Sequence, residues 1–349
     1  MSTAISGERP ATAAGPGSAL PGLVAAVAIA VVATGVGSLL PLLGAPVAGI
    51  VIGVLLSGLA HRRAALAPGI RVASGLVLQL AVVVLGSQLS LAEVAHVGVS
   101  SLPVMLGTLG VCLTAAHLLG RRLGIEADLR TLIGVGTGIC GASAIAAVSP
   151  VIRARSNAIA YAISTIFCFN IIAVLLFPPL GHLLGMGQDA FGLFAGTAVN
   201  DTSSVVAAAT TYGAEAGNHA VVVKLTRTLM IVPVCVGLSA LAARRAGRGA
   251  PGEAAAVEGV LARVWRLVPW FLVGFVVVAA GNSAGLVPAA AHQPLERASL
   301  FLVTMALAAI GLSTDVPALR RAGARPLLLG ATLWLLVSVT SLLLQWATM

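Results

Sequence analysis

Charge is what this chain has least of: only 9% of its 349 residues are Asp, Glu, Lys or Arg. A soluble domain carries roughly 25%, so no water-facing surface can be assembled from this composition, and a soluble cytosolic enzyme is excluded. Aromatic residues are also scarce, at 4%, and no basic run is interleaved with them. Nucleic-acid binding is therefore excluded despite a formal net charge of +9. Lysine is nearly missing: of the twenty basic residues only Lys224 is not Arg. The four cysteines (Cys112, Cys140, Cys168, Cys235) lie apart inside apolar segments, which excludes a disulfide scaffold. No His/Cys/Asp cluster has metal-ligand spacing and no GxxxxGK[ST] occurs, so neither a metal nor any other cofactor is expected.

What is abundant is apolar surface. Hydrophobic residues make up 58% of the chain and the mean hydropathy is +1.05, which rules out intrinsic disorder and leaves an all-α polytopic membrane protein. Apolar segments fall near 20–40, 45–60, 73–90, 97–119, 129–152, 156–179, 190–211, 220–243, 267–289, 297–314 and 326–346. At about 20 residues per crossing, that predicts about 9–11 transmembrane segments in a single transporter-like domain, 20–349. Residues 1–19 read as a disordered tail, and 244–266 as a polar cytoplasmic linker.

Arginine is distributed unevenly over the connections. Basic clusters occur at Arg62/Arg63/Arg71, Arg121/Arg122/Arg130, Arg153/Arg155, Arg244/Arg245/Arg248/Arg263/Arg266 and Arg320/Arg321/Arg325, whereas the other connections carry Glu93, Asp189, Glu215 or Glu296. The positive-inside rule places the basic clusters, and the N-terminus, in the cytoplasm of a bacterial inner membrane. Eleven full crossings would put Arg153/Arg155 on the wrong side. The conflict disappears if 129–152 and 190–211 each enter and leave on one side; two full spans broken at mid-depth are the alternative.

Those two segments resemble each other. GTGICGASAIAAV (136–148) and GTAVNDTSSVVAA (196–208) share Gly136/Gly196, Thr137/Thr197, Ser143/Ser203 and Ala147/Ala207 at an offset of 60. Inverted repeats carrying interrupted helices at mid-membrane are an architecture of secondary transporters. Glycines that break a helix in hydrocarbon expose backbone groups which only protein or water can satisfy. The helices restarting near Ala142 and Thr202 would present free N–H groups and a positive dipole end, the makings of an anion site. Gly136, Thr137, Gly138, Cys140, Gly141 and Ser143 of the first copy are candidate substrate-binding residues, as are Thr197, Asn200, Asp201, Thr202 and Ser203 of the second. Charges inside a bilayer are functional candidates by default. Lys224 and Arg227, on one helix face, would make the pocket electropositive, with Asp201 as counter-ion or proton carrier. Snorkelling is the structural alternative, because both lie within two turns of the expected segment start. Gln88, Ser313 and Asp315 are secondary candidates; Gln88 reads as a polar group deep in a span, and Asp315 as an equally good helix cap.

GTGICGASAIAAVSPVI, AVVVKLTRTLMIVPV, VPWFLVGFVVVAAGNSAGLVP and TMALAAIGLSTDVPALRRAG together resemble the YeiH-type sulfate exporter family of bacterial inner-membrane proteins. The resemblance implies a multi-pass transporter related to the cation:proton antiporter and anion transporter superfamily. Enteric members carry His-Glu at the position of Asn200-Asp201 and Arg near Gln88, so the coupling ion and substrate do not carry over. The combined expectation is a secondary transporter of a small anion, such as sulfate or an organic sulfonate or carboxylate, with the lipid bilayer as its surroundings and a homodimer as a compatible assembly. An anion channel or a sensory or scaffolding membrane protein is the alternative. An intramembrane enzyme using Ser143 or Cys140 is disfavoured, because no histidine stands in or beside either segment to act as its base.

Overall fold

The computed structural model describes residues 19–39, 44–245, 270–314 and 324–348. The predicted tail, most of the linker and Asp315 lie outside them. No strand occurs among the described residues; in hydrocarbon a helix satisfies its own backbone. Two helices, α1 (Leu20–Leu39) and α2 (Gly44–His61), lead into a broken stretch. There α3 (Ala67–Val72) passes through a π turn into α4 (Leu78–Leu85) and ends in a 3-10 turn at Gly86–Gln88. A short α5 (Leu91–Ser100) is opened by a Ser90/Glu93 capping box, and α6 (Leu102–Arg122) follows.

The two repeated segments are four half-length helices: α7 (Ala127–Gly138) with α8 (Ala142–Ile152), and α10 (Gln188–Ala198) with α11 (Thr202–Tyr212). Between them runs α9 (Ser156–Leu183). Then come α12 (Ala214–Thr228), α13 (Ile231–Arg245), α14 (Trp270–Ser283), α15 (Ala289–Ser313) and α16 (Ala324–Thr348). Among the described residues, seven stretches are long and apolar enough to cross a bilayer: α1, 64–88, α6, α9, α12 with most of α13 (Ala214–Leu241), α15 and α16. The shorter α2 runs parallel to α15, with Gly49 against Thr304 and Gly53 against Ala308 and Gly311. A Cβ added at Gly53 would lie 2.4 Å from the Ala308 carbonyl oxygen, so the two backbones meet through small residues, as helices pack in lipid.

Both repeated segments are re-entrant hairpins, and the two open on opposite faces. The mouth of α7–α8 is closed by Arg155, which approaches Glu126 at 3.6 Å. At the mouth of α10–α11 the Phe191 and Tyr212 rings stack at 3.9 Å and the Tyr212 hydroxyl donates to the Met186 carbonyl. The 28-residue α9 joins one mouth to the other and is about 42 Å long, enough to traverse the hydrocarbon. Each leg, at about 17 Å, reaches only its middle, where the hairpins meet tip to tip.

Two helix groups share the interface. One comprises α1–α4, α14 and α15; the other comprises α6–α13 and α16. Val47, Ile50 and Val303 of the first pack on Val206, Val221 and Leu225 of the second in one apolar cluster. Hairpin 2 lies at this junction, because α11 contacts both α2 and α15. Where the chain departs from the expected boundaries, polar residues explain it: the span expected at 220 begins at Ala214, its first turns carrying Glu215, Asn218 and His219 near the hairpin mouth.

The hairpin geometry predicts a labelling pattern. A membrane-impermeant maleimide should reach Glu126→Cys and Arg155→Cys from one side of right-side-out vesicles, and Gly187→Cys and Ala214→Cys from the other. Labelling of Arg155→Cys and Ala214→Cys from the same side would contradict the opposed hairpins.

Candidate functional site

The site begins with the end of each incoming leg. Helix α7 stops at Gly138 and α10 at Ala198, and the next carbonyls, of Ile139 and Val199, find no partner in their own helix. These are the equivalent residues of the two copies, 60 positions apart. The Lys224 ammonium donates to both: its Nζ lies 2.9 Å from the Ile139 oxygen and 2.8 Å from the Val199 oxygen. A helix C-terminus carries about −0.5 charge, so two of them together compensate about one ammonium. Lys224 is wholly buried and stands ten residues into α12, so it does not snorkel.

One turn further along, Arg227 is also wholly buried. Its Nη1 donates to the Thr197 carbonyl in the last turn of α10, while Nε and Nη2 have no partner. No carboxylate pairs with either cation: the ion pairs among the described residues are Arg155–Glu126 and His219–Asp189, both beside the hairpin mouths. Asp201 instead caps α11. One carboxylate oxygen accepts from the Ser204 amide at 2.7 Å and the other from the Ser203 hydroxyl at 2.9 Å. Asp201 thus caps its own helix, because the amides at the start of α11 are its immediate neighbours.

The return legs start where expected, at Ala142 and Thr202, but differ in their caps. Helix α8 has no side-chain cap; its N-cap is Gly141, whose φ of +68° suits glycine. A Cβ there would lie 3.1 Å from the Asp201 Cβ, so the Asp201 backbone abuts the uncapped turn of the other hairpin. Ala142 and Ser143 are exposed, and Asp201, Thr202 and Ser203 are half-buried.

Gly136 and Gly138 do not break the helix: both lie within α7. A Cβ on Gly136 would meet Ile166 of α9 at 2.0 Å, and one on its equivalent Gly196 would meet Val223 of α12 at 2.7 Å. Both glycines serve close packing of a hairpin leg on a following span. The Thr197 hydroxyl points to α16, 2.7 Å from the Ser341 hydroxyl, which also accepts from Gln345. Thr137 is buried in α7, and Cys140 is buried beside Lys224.

Gln88 is not deep in a span: it closes the 3-10 turn after α4 and donates to the His292 carbonyl. Ser313 is exposed at the end of α15 and donates to the Ile310 carbonyl. Neither hydrogen-bonds to a hairpin residue among the described residues.

Asn170, in the middle of α9, is a site residue that reading by charge overlooked. Its Oδ1 accepts from the Asn200 amide at 3.1 Å, its Nδ2 has no partner, and neither does Asn200 Oδ1. An amide at the centre of a 28-residue apolar helix is the signal that would have found it.

Residues 21–330 match the family model described as conserved hypothetical protein 698. The chain belongs to that family of YeiH-like UPF0324 membrane proteins. A UPF0324 membrane protein of Streptococcus pyogenes serotype M3 is 41% identical over 330 residues, spanning 93% of this chain and 96% of its own. One from Streptococcus agalactiae serotype V is 40% identical over 332 residues, with the same coverage. One from Clostridium tetani is 41% identical over 300 residues, 85% of this chain and 87% of its own. No solved structure matches. The relatives' names as membrane proteins agree with this fold, whose several apolar helices make it a multi-pass membrane protein.

The bridging role of Lys224 predicts a stability effect. Lys224→Met keeps the aliphatic stem but leaves two buried carbonyls without a donor, at a cost of about 1–3 kcal/mol. The unfolding midpoint of the detergent-purified protein should fall accordingly; a midpoint equal to wild type would remove the bridge from the architecture.

Proposed function

We propose that this UPF0324 protein is a secondary transporter that exports a small anion, such as sulfate or an organic sulfonate or carboxylate, across the bacterial inner membrane. The observation that carries the reading is Arg227. It is a wholly buried guanidinium with three of its donors unpartnered and no carboxylate in contact. A buried cation is costly unless paired, and an oxyanion with several acceptors would complete it. The uncapped amides at the start of α8 add a second set of donors at the same depth.

The position of the site supports alternating access. Hairpin 2 lies against the junction of the two helix groups, and the surface between the groups is largely apolar, which suits sliding of one group on the other. Rocking one group against the other would expose the tips to each side in turn. The complete burial of Lys224 and Arg227 favours such an occluding carrier over an open anion channel. In this scheme the arginine-bearing face and the N-terminus are cytoplasmic. Asp201, beside the uncapped end of α8, is the proposed proton carrier.

Two tests address these roles. Arg227→Gln should abolish saturable anion counterflow in proteoliposomes, while Thr108→Ala, whose hydroxyl bonds within its own helix, should not. Equal loss in both, or in neither, would remove Arg227 from the site, and flux that never saturates would favour a channel. Asp201→Asn keeps a capping acceptor, so the unfolding midpoint should stay near wild type while the pH dependence of counterflow disappears; retained pH dependence would place the proton elsewhere.

A further inference from the structure

Away from the hairpin tips, a cavity of about 290 Å³ lies between α6, α7 and α13. Its walls are apolar along most of its length: Leu113 and Ala116 from α6, Gly134 and Val135 from α7, Val234 and Leu238 from α13. Its composition changes at one end, where Arg130, Thr131 and His117 line it. That end lies at the arginine-bearing face: Arg130 packs against Gly120, one residue from Arg121 and Arg122. Arg130 makes one long hydrogen bond, from Nη1 to the Ile125 carbonyl at 3.4 Å. It has no ion-pair partner among the described residues, because nearby Glu126 pairs with Arg155 instead. Within that neighbourhood Arg121, Arg122, Arg130, Arg153 and Arg155 outnumber Glu126 and Asp128.

We propose that this groove binds one anionic phospholipid, with an acyl chain between α6, α7 and α13 and the phosphate at Arg130. The apolar slot and its cationic mouth match the two halves of such a molecule. Basic pockets between transmembrane helices on the cytoplasmic side recognise anionic headgroups in this way. Free inorganic phosphate would satisfy Arg130 but not the slot, and a zwitterionic lipid would satisfy the slot but place a cation beside the arginines. The consequence reaches the site: the slot is walled by Gly134 and Val135, adjacent to Gly136 and one turn before the tip of hairpin 1. A chain lodged there therefore braces α7 against α13, the helix that follows Arg227. This inference is independent of what the protein transports.

Gly237 supplies a test variant. It lines the groove, and a Cβ added there meets nothing within 4 Å, so Gly237→Phe starts from open space and places its ring in the slot. The experiment compares full-length protein, delipidated in detergent, by thermal unfolding and native mass spectrometry. The additions are phosphatidylglycerol, phosphatidylcholine of the same chains, and inorganic phosphate. Phosphatidylglycerol alone should raise the unfolding midpoint and give a one-lipid adduct. Arg130→Gln should weaken the adduct at least tenfold, and Gly237→Phe should remove it while folding normally without lipid. Equal stabilisation by phosphatidylcholine, stabilisation by phosphate alone, or an adduct that survives Gly237→Phe would each overturn the proposal. If Arg130→Gln fails to fold, the Gly237→Phe comparison decides.

Discussion

A single ammonium group holds the centre of this molecule together. Two helices enter the bilayer from opposite faces, stop halfway, and leave a carbonyl end in a region where water cannot reach it. Left alone, each would be an unsatisfied acceptor in hydrocarbon. Lys224 answers both at once, with Ile139 and Val199 within hydrogen-bond distance of the same Nζ. This shared donor lets two half-helices end tip to tip, and the rest of the hairpin architecture depends on it. The only lysine of the chain is thus placed where a compact point charge with several donors is needed.

Around that bridge the two cations divide their roles. Lys224 is matched by the two helix ends. Arg227 is matched by one carbonyl, and the rest of its guanidinium fork remains unpaired. The difference separates a charge whose partners are in place from one that the proposed function leaves for an anion, although the two residues are one turn apart on the same face. The hairpins show a similar asymmetry. Sequence equivalence places Gly141 opposite Asp201; glycine leaves α8 uncapped, and aspartate caps α11. A pseudosymmetric frame therefore holds an asymmetric set of donors and acceptors.

Small residues set how closely these parts approach. Gly136 and Gly196 occupy equivalent positions and each admits a side chain from a following span. Gly53 and Gly311 instead let the backbones of α2 and α15 meet directly in the other helix group. Without a hydrophobic driving force between helices in lipid, such close backbone contact supplies the packing energy. It also explains why glycine-rich stretches looked like helix breaks in the sequence, when only Gly141 turns the chain.

The membrane class and the two interrupted segments were legible from the sequence because they follow from solvent, whereas hairpins rather than broken full spans needed the contacts at each mouth. Apolar length, arginine asymmetry and a repeat at an offset of 60 are each written locally, and the bilayer converts them directly into depth and side. The start of the helices at Ala142 and Thr202 was legible for the same reason. What only the tertiary structure decided was which side chain meets which. Asp201 capping its own helix instead of facing Lys224, Thr197 turning to Ser341, Gln88 at a helix end and Asn170 at the centre all depend on contacts between residues far apart in the chain. Composition and spacing report how costly a buried polar group is; the identity of the group that relieves the cost is set by packing in three dimensions.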